Sequence, residues 1–283
     1  MLELSDVEDW RSFASDQRAK GLRVGLVPTM GALHEGHESL FRAAKATSDV
    51  VLATIFVNPR QFDDASDLEQ YPRTPESDRD LALGSGVDCL ISPTLEAMWP
   101  DYPRATPTTV TLGHLAEVFE GEGRPGHFDG VASVVAKLFV ITGPCRAYFG
   151  EKDFQQLAVI RQMVRDLAFD VEVVGQPIVR ADDGPALSSR NALLTPEGRR
   201  QALGLSRALR AVADEVRSAD EQRATLREVL EVSGVEVAYA EVVDPSTLVP
   251  SRENETGERR ALVAGFVEGI RLIDNGPVEV VGR

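Results

Sequence analysis

The chain is poor in cysteine, and this scarcity argues against a disulfide-stabilised fold and a cysteine nucleophile. Its two cysteines, Cys89 and Cys145, lie far apart among 283 residues. That spacing predicts no disulfide framework, is typical of a reducing compartment and matches no nucleophile motif. We therefore expect a cytoplasmic protein in which both cysteines are small, buried, apolar side chains.

The sequence also lacks a long apolar run and an excess of basic residues. No stretch approaches the roughly 20 apolar residues that span a bilayer, and the N-terminus is acidic, unlike a signal sequence. Asp and Glu number 45 against 30 Lys and Arg, which gives a formal net charge of −15. Because nucleic-acid affinity comes largely from basic residues, we expect no nucleic acid and no membrane as partner. A small anionic substrate needs only a locally basic pocket.

Short β-branched runs alternate with segments of helical period through the first two thirds of the chain. This alternation is typical of βαβ units around a parallel sheet, so we predict an α/β fold. The predicted strands are residues 23–28, 50–58, 88–92, 146–150 and 171–174. The predicted helices are residues 39–47, 77–83, 131–141 and 154–167.

The pattern changes around residues 181–185, where turn-forming residues follow one another. Beyond this turn we predict two helices and two strands joined by a polar, mobile loop, which together indicate a smaller α+β domain. The helices are residues 196 to about 216 and 221–232, the strands 235–243 and 261–267, and the loop 251–258.

Two of the four histidines, His34 and His37, lie three residues apart in the segment PTMGALHEGH, directly after an apolar run. A helix that begins near Leu33 would place both imidazoles on one face of its first turn. Helix N-termini attract anions because their first N–H groups are unpaired and the macrodipole is positive there. The segment therefore predicts a nucleotide phosphate site in which imidazole N–H groups add donors.

Two other interpretations of this histidine pair are open. The pair could be incidental to a strand-to-helix turn, or it could bind a metal. A zinc site needs three or four ligands, and only His114 and His127 remain among the histidines. We therefore predict no metal site built from protein side chains.

Two further segments place polar side chains where nucleotide-binding sheets hold their ligands, beyond the carboxyl ends of strands. Asn58 and Gln61 follow the second predicted strand, where amides could bond a hydroxyl-bearing substrate. An ordinary turn is the alternative. The glycine-rich loop over residues 123–130 carries Arg124 and His127, and a flexible connection is its alternative.

Cationic and hydroxyl side chains occupy two more segments. Lys152, one of four lysines, lies at a strand-to-helix junction from which it could reach a phosphate. Ser188, Ser189 and Arg190 follow the 181–185 turn and could clamp a triphosphate, with the guanidinium giving paired donors. Such a clamp could become ordered when nucleotide binds. A solvated lysine and a solvated loop are the alternatives.

Taken together, these segments resemble the pantothenate synthetase family, ATP-dependent ligases that join pantoate to β-alanine. The matching stretches are PTMGALHEGH, IFVNPRQF, YPRTPESD, GHFDGV, FGEKDFQQL, ALSSRN and LIDN, in family order. The resemblance implies a Rossmann-like parallel sheet flanked by helices over residues 1–182, which binds ATP and pantoate. It also implies a smaller C-terminal lid domain over residues 183–283, with a KMSKS-like loop at the junction, and a homodimer.

The resemblance also implies roles for single residues. His34 and His37 would bind the ATP phosphates and stabilise charge during adenylyl transfer. Lys152 would bind the phosphates, and a KMSKS-like clamp would complete the catalytic set. That clamp consists of Ser188, Ser189 and Arg190. The other nucleotide-binding residues would be Met30, Gly150, Asp153 and Val179.

The family resemblance also implies that pantoate would lie against Pro28 and Met30, beside Asn58. Gln61 and Gln156 would bond its hydroxyls or carboxylate. Two positions depart from the family pattern, because Leu187 stands where Met is common and Pro185 where Leu is common. Leucine keeps the volume of methionine, whereas Pro185 would stiffen the clamp loop.

The implied reaction has two steps. The carboxylate of pantoate attacks the α-phosphorus of MgATP to give pantoyl adenylate and pyrophosphate, and the amine of β-alanine then displaces AMP. Mg²⁺ would arrive with ATP, held mainly by phosphate oxygens and water. Because the substrate supplies the nucleophile, the protein needs donors and cations around the phosphates.

Three rival functions remain open at this point. One is an adenylyltransferase that moves AMP onto a phosphorylated cofactor precursor, although the amides near Gln61 and Gln156 favour a small polyol acid. Another is a nucleotide-binding regulator without catalysis. The third is a fragment of an aminoacyl-tRNA synthetase, against which the acidic charge counts.

Overall fold

A computed structural model describes residues 1–104, 108–213 and 216–282. The chain divides into two compact units. The first consists of Met1–Glu151 with Val159–Pro177, and the second of Lys152–Ala158 with Ile178–Arg283. The predicted domain boundary between residues 182 and 183 stays a prediction.

The described residues of the first unit form a six-stranded parallel sheet. Its strands are β1 (Leu2–Leu4), β2 (Val24–Thr29), β3 (Val50–Ile55), β4 (Cys89–Ile91), β5 (Cys145–Gly150) and β6 (Val171–Gln176). They follow the order β1-β4-β3-β2-β5-β6. The predicted parallel α/β sheet is confirmed with all five predicted strands, although β3 ends at Ile55 rather than at residue 58. Strand β1 had no counterpart in the prediction.

Helices connect these strands, and those over Val7–Ala19, Glu35–Thr47 and His127–Thr142 pack on the sheet. The helices are α1 (Val7–Ala19), α2 (Glu35–Thr47), α3 (Ala65–Gln70), α4 (Pro75–Gly84), α5 (Leu95–Met98), α6 (Glu120–Gly123), α7 (His127–Thr142) and α8 (Phe154–Asp166). The four helices predicted here correspond to α2, α4, α7 and α8. Helix α1 was missed, although Asp6 caps it by accepting from the backbone N–H groups of Glu8 and Asp9.

The order of the strands determines where the polar segments that follow them lie. The chain proceeds from β2 through β3 to β4 on one side of the sheet, then crosses to β5 on the other side of β2. Ligands of open parallel sheets bind where the strand order reverses, outside the carboxyl ends of the strands. The histidine segment follows β2, the amide segment follows β3, and Gly150 ends β5. In the first unit, these three predicted groups therefore leave the sheet at one edge.

The second unit pairs two helices with a three-stranded antiparallel sheet of order β7-β8-β9. Its elements are α9 (Pro196–Ala213), α10 (Ala219–Val232), β7 (Glu236–Val243), β8 (Gly257–Val267) and β9 (Ile270–Val280). This confirms the smaller α+β domain, but β9 was missed because the run Asp274-Asn275-Gly276-Pro277 interrupts its apolar pattern. Helix α9 ends at Ala213, since residue 216 is not helical, and residues 214 and 215 lie outside the described residues. The predicted loop 251–258 is shorter because β8 begins at Gly257.

Within the described ranges, no helix has both the length and the apolar character required to cross a membrane.

Candidate functional site

His34 and His37 close the N-terminus of α2 by bonding its backbone reciprocally. The Nδ1 atom of His34 accepts from the N–H of Gly36 at 3.1 Å, and Nδ1 of His37 accepts from the N–H of His34 at 3.2 Å. This is a capping box made of two imidazoles, with ring centroids 4.2 Å apart. A Cβ at Gly36 would lie 2.8 Å from Cε1 of His34, so a larger residue there would displace the ring from its capping position. Helix α2 begins at Glu35, two residues after the predicted start, with His34 as its N-cap.

The capping box also selects the tautomer of both rings. A neutral imidazole that accepts at Nδ1 carries its proton at Nε2. Each ring can therefore donate from Nε2, and both lie at the positive end of the α2 dipole. This arrangement suits an anionic oxygen such as that of a phosphate.

Asp78 holds the turn that leads into α2. Its Oδ2 accepts from the N–H of Ala32 at 3.0 Å, and its Oδ1 accepts from the N–H of Leu33 at 2.7 Å and from Oγ1 of Thr74 at 3.0 Å. Ala32 has a φ of 49°, a left-handed conformation that costs free energy for a residue with a side chain. The buried carboxylate, 2% exposed, therefore fixes a strained turn immediately before His34. YPRTPESD contains Asp78, but no role was assigned to it from the sequence.

We expect Asp78→Asn to lower the free energy of unfolding by about 1–3 kcal/mol, the cost of burying an unsatisfied polar group. Both carboxylate oxygens accept from N–H groups, so either orientation of an amide would point its NH₂ at a donor. Urea unfolding followed by tryptophan fluorescence measures the change. Asp80→Asn is the matched control on the same helix, because the Asp80 side chain is 80% exposed. Equal stability of the two variants would contradict the role given to Asp78.

A buried amide network follows β3. The Nδ2 atom of Asn58 donates to Oε1 of Gln61 at 3.1 Å and to the carbonyl of Gly130 at 3.1 Å, while Oδ1 accepts from Nε1 of Trp99 at 3.0 Å. Nε2 of Gln61 then donates to Sδ of Met30 at 3.1 Å. The structure thus brings together three predicted pantoate residues, Met30, Asn58 and Gln61. Asn58 occupies one lone pair of the Gln61 side-chain oxygen and Met30 takes one Nε2 proton, so this amide can offer a substrate its second Nε2 proton or the other lone pair of its oxygen.

Helix α7 holds this network from the other side. Gly130 must be glycine, because a Cβ there would lie 2.1 Å from the carbonyl oxygen of Arg60. Nδ1 of His127 donates to the backbone carbonyl of Gln61 at 2.7 Å, and Nη2 of Arg124 donates to the same oxygen at 3.3 Å. Burial first, and then the charge of Arg124, lower the pKa of His127 to about 4. His127 is therefore neutral near neutral pH and anchors the backbone of Gln61.

Trp99 and His127 both bond to the amide network, and the sequence alone assigned neither of them a role there. From the sequence, the glycine-rich loop containing His127 is predicted only as a segment with polar side chains beyond a strand, or as a flexible connection. Here it supports the amide network through backbone contacts. The remaining predicted residue of β2, Pro28, is half-buried in that strand.

Lys152, Asp153 and Gln156 lie in the second unit. Lys152 and Asp153 belong to a 3-10 turn, Glu151–Asp153, and Nζ of Lys152 lies 3.2 Å from Oδ1 of Asp153. Gln156 lies in the first turn of α8 and is half-buried. The lysine side chain is 22% exposed, so its charge is partly withdrawn from solvent.

The predicted clamp lies in a second 3-10 turn, Ser189–Leu193. Ser188 caps this turn, with its Oγ accepting from the N–H of Arg190 at 3.3 Å. Just before it, the N–H of Leu187 donates to the carbonyl of Val179 at 3.0 Å, and the N–H of Ala181 donates to that of Pro185 at 2.9 Å. Val179 and the clamp therefore flank one tight loop, in which Pro185 is buried.

The cysteines take no catalytic position. Cys89 is buried in β4 as predicted, whereas Cys145 is only half-buried because it begins β5. Burial raises the pKa of both thiols to about 12, which keeps them protonated and weakly nucleophilic. In the ranges that the structure describes, no group of three or more His, Cys, Asp or Glu could hold a metal ion.

Comparison with known proteins gives a consistent result. The family model described as pantoate-beta-alanine ligase matches residues 3–277. The chain is 47% identical over 275 residues to the pantothenate synthetase of Moorella thermoacetica, covering 95% of this chain and 96% of the relative. It is 52% identical over 257 residues to that of Acidobacterium capsulatum, covering 89% and 85%.

Two solved structures share the whole fold. Pantothenate synthetase from Thermus thermophilus has a TM-score of 0.88 and 45% identity, with 98% of this chain and 99% of that chain covered. Pantoate-beta-alanine ligase from Francisella tularensis, complexed with beta-gamma ATP and beta-alanine, has a TM-score of 0.80 and 32% identity, with 98% and 97% covered.

Proposed function

The chain belongs to the pantoate-β-alanine ligase family, and on that premise we propose that it condenses pantoate with β-alanine using ATP. The products are pantothenate, AMP and pyrophosphate, and the reaction passes through pantoyl adenylate. The observation that carries this proposal is the imidazole capping box, which places two imidazoles, each with its Nδ1 bonded to the backbone, at the N-terminus of α2.

His34 and His37 bind phosphate oxygens of ATP in this proposal. The fixed tautomer supports it, since a donor that is already oriented need not reorganise as charge develops on the transferring phosphoryl group. Met30 and Gly150, which follow β2 and end β5 respectively, contact the nucleotide.

Lys152, Ser188, Ser189 and Arg190 bind the same triphosphate. Their residue types support this role, because an ammonium, two hydroxyls and a guanidinium are all phosphate ligands. Asp153 orients Lys152 through their ion pair, and Val179 lies beside the nucleotide.

Pantoate binds at the amide network. Gln61 donates its second Nε2 proton to a pantoate oxygen, while Asn58 and Met30 hold that amide in place. Pro28 and Gln156 are further pantoate contacts that the family resemblance implies. An apolar wall with a few fixed polar groups is the usual composition of a small-molecule site.

The chemistry requires no nucleophile from the protein. A carboxylate oxygen of pantoate forms a bond to the α-phosphorus as the bond to pyrophosphate breaks. The amine of β-alanine then attacks the acyl carbon, and AMP leaves with the bonding electron pair. Mg²⁺ enters as part of MgATP, which neutralises the phosphate charge.

The decisive experiment measures pyrophosphate and AMP released from MgATP by the purified protein, with pantoate and with or without β-alanine. We expect pyrophosphate with pantoate alone, limited to about one turnover, and sustained AMP only when β-alanine is added. An adenylyltransferase would retain AMP in its product, and a regulator would release nothing. Absence of pantoate-dependent pyrophosphate would overturn the proposed reaction.

We also propose a cytoplasmic homodimer. The two cysteines, which form no disulfide, support a reducing compartment. The dimer rests on the family resemblance, and sedimentation velocity tests it directly.

A further inference from the structure

The LIDN stretch near the end of the chain has no role in the reaction described above. It lies in β9 and ends in Asp274 and Asn275, which are 3% and 2% exposed. A buried carboxylate and a buried amide are costly unless every polar atom finds a partner. Their partners lie on two segments of the second unit to which ATP-binding residues belong.

Asn275 holds the segment that carries Lys152. Its Nδ2 donates to the backbone carbonyl of Lys152 at 2.9 Å, and its Oδ1 accepts from Nε of Arg260 at 2.8 Å. The guanidinium of Arg260 in turn lies 4.4 Å from the ring centroid of Phe154. Residues 152 and 154 are thus fixed to β8 and β9 by a hydrogen bond and a cation–π contact.

Asp274 holds the loop that leads to the clamp. Its two oxygens accept from Nη1 and Nη2 of Arg180 at 2.6 and 3.0 Å. Nη1 of Arg180 also donates to the carbonyl of Gly184 at 3.2 Å, and Arg180 pairs with Ala186 across the loop. The arginine therefore closes the turn that ends just before Ser188.

The contacts of Asn275 with the Lys152 segment are the first arm of this arrangement, and those of Asp274 with Arg180 are the second. The two arms meet on β9, because Asp274 and Asn275 are adjacent. Oδ1 of Asp274 also accepts from the backbone N–H of Asn275 at 2.8 Å, so the carboxylate that binds Arg180 also holds the backbone of Asn275. Both residues lie on a strand of a sheet, which holds geometry better than a loop does.

We propose that Asp274 and Asn275 are positioning residues that set Lys152 and the Ser188–Arg190 clamp at a fixed separation for the triphosphate. This inference rests on the proposed function, in which both groups bind ATP. Neither residue touches substrate, and each acts through the segment it holds. A misplacement of about 1 Å in such a segment can cost roughly a hundredfold in rate.

Asn275→Asp tests the first arm. The substitution is isosteric and keeps an oxygen for Arg260, but it places an oxygen opposite the Lys152 carbonyl where an N–H had been. We expect the Kd for a non-hydrolysable ATP analogue with Mg²⁺ to rise, and pantoate-dependent pyrophosphate release to fall, by about tenfold to a hundredfold.

A double-mutant cycle with Lys152→Ala separates positioning from stability. The backbone carbonyl of residue 152 remains in that variant, so any structural cost of Asn275→Asp remains as well. If Asn275 acts through the ammonium of Lys152, its substitution has little further effect on analogue affinity once that ammonium is gone. Independent losses that multiply in the double variant would overturn the inference.

The second arm gives an independent test if Asn275→Asp fails to fold. Arg180→Lys keeps a cation near Asp274 but loses the paired donors. We expect it to weaken analogue binding about tenfold, non-additively with Arg190→Ala. Additive losses here would remove Asp274 from the proposal.

Arg259→Gln is the matched control, because Arg259 is the neighbour of Arg260 on β8 and bonds Ser251 and Glu255 instead. It should leave analogue affinity unchanged, and a loss like that of Asn275→Asp would overturn the inference. If the unmodified protein binds the analogue but releases no pyrophosphate with pantoate, the proposed reaction fails while the cycle still decides the positioning role. No binding of the analogue to the unmodified protein would overturn both.

Discussion

Replacing either His37 or Lys152 with alanine should lower turnover on the order of 10²–10³-fold, the scale for loss of one preorganised donor. The Nε2 proton of His37 is oriented by the capping box, and Lys152 is held at its backbone by Asn275. Both donors therefore act without reorganising when the α-phosphorus is attacked. Pantoate-dependent pyrophosphate release measures the loss, with circular dichroism to confirm folding. Full activity in a folded variant would remove that residue from the site.

Two isosteric variants of His37 separate its two nitrogens. In His37→Asn the amide oxygen can take the place of Nδ1 and accept from the N–H of His34, while the Nε2 donor is lost. We expect His37→Asn to have the same low turnover as His37→Ala, but a free energy of unfolding close to that of the unmodified protein. In His37→Gln the amide nitrogen reaches toward the Nε2 position, while the cap weakens by about 0.5–2 kcal/mol. It should retain more activity than His37→Asn despite lower stability, and the reverse order would contradict the assignment of the rings.

The sheet could be predicted because its central strands, β2 and β3, are buried on both faces. Such strands appear in the sequence as continuous apolar runs, as in residues 24–27 and 50–53, and the helices between them have a different period. The elements that were missed carry weaker signals. Strand β1 has three residues and lies at an edge of the sheet, and β9 contains Gly276 and Pro277 within an otherwise alternating strand.

The candidate site was predictable only where its residues are neighbours in the chain. The His34 and His37 pair is visible as a local pattern, since its caps are made within four residues. The partner of their turn, Asp78, lies 45 residues away from Leu33, and Trp99 lies 41 residues from Asn58. Contacts of this range depend on the packing of α4 and α5, which no local pattern in a single sequence specifies.

The segment that follows β5 illustrates the same limit. Sequence continuity joins Lys152 to β5, and the predicted domain of residues 1–182 therefore includes it. The hydrogen bond at the Lys152 carbonyl is instead made by Asn275, and the cation–π contact at Phe154 by Arg260, each more than 100 residues later. Those contacts explain why Lys152–Ala158 belongs to the second compact unit.

Protonation of His127 should by itself lower the free energy of unfolding as the pH falls from about 7 to about 4.5. Once this titration is complete, the loss is about 3 kcal/mol. The ring is 9% exposed, donates from Nδ1 to the carbonyl of Gln61, and faces the guanidinium of Arg124 at Nε2. Burial, and then that guanidinium, lower its pKa from 6.5 to about 4. The unfolded chain therefore binds the proton first, so stability is complete above about pH 6.5 and is lost as the pH falls toward 4.

His127→Asn isolates this contribution from the other groups that titrate in the same range. The amide nitrogen of asparagine can replace Nδ1 as donor to Gln61, but it has no proton to gain. At neutral pH the variant should be less stable than the unmodified protein, because it fills less of the buried space. The difference in urea unfolding free energy between the two proteins should shrink as the pH falls. A constant difference across the range would mean that the folded protein accepts the proton on His127 as readily as the unfolded chain, and that the contacts of this ring do not hold it neutral.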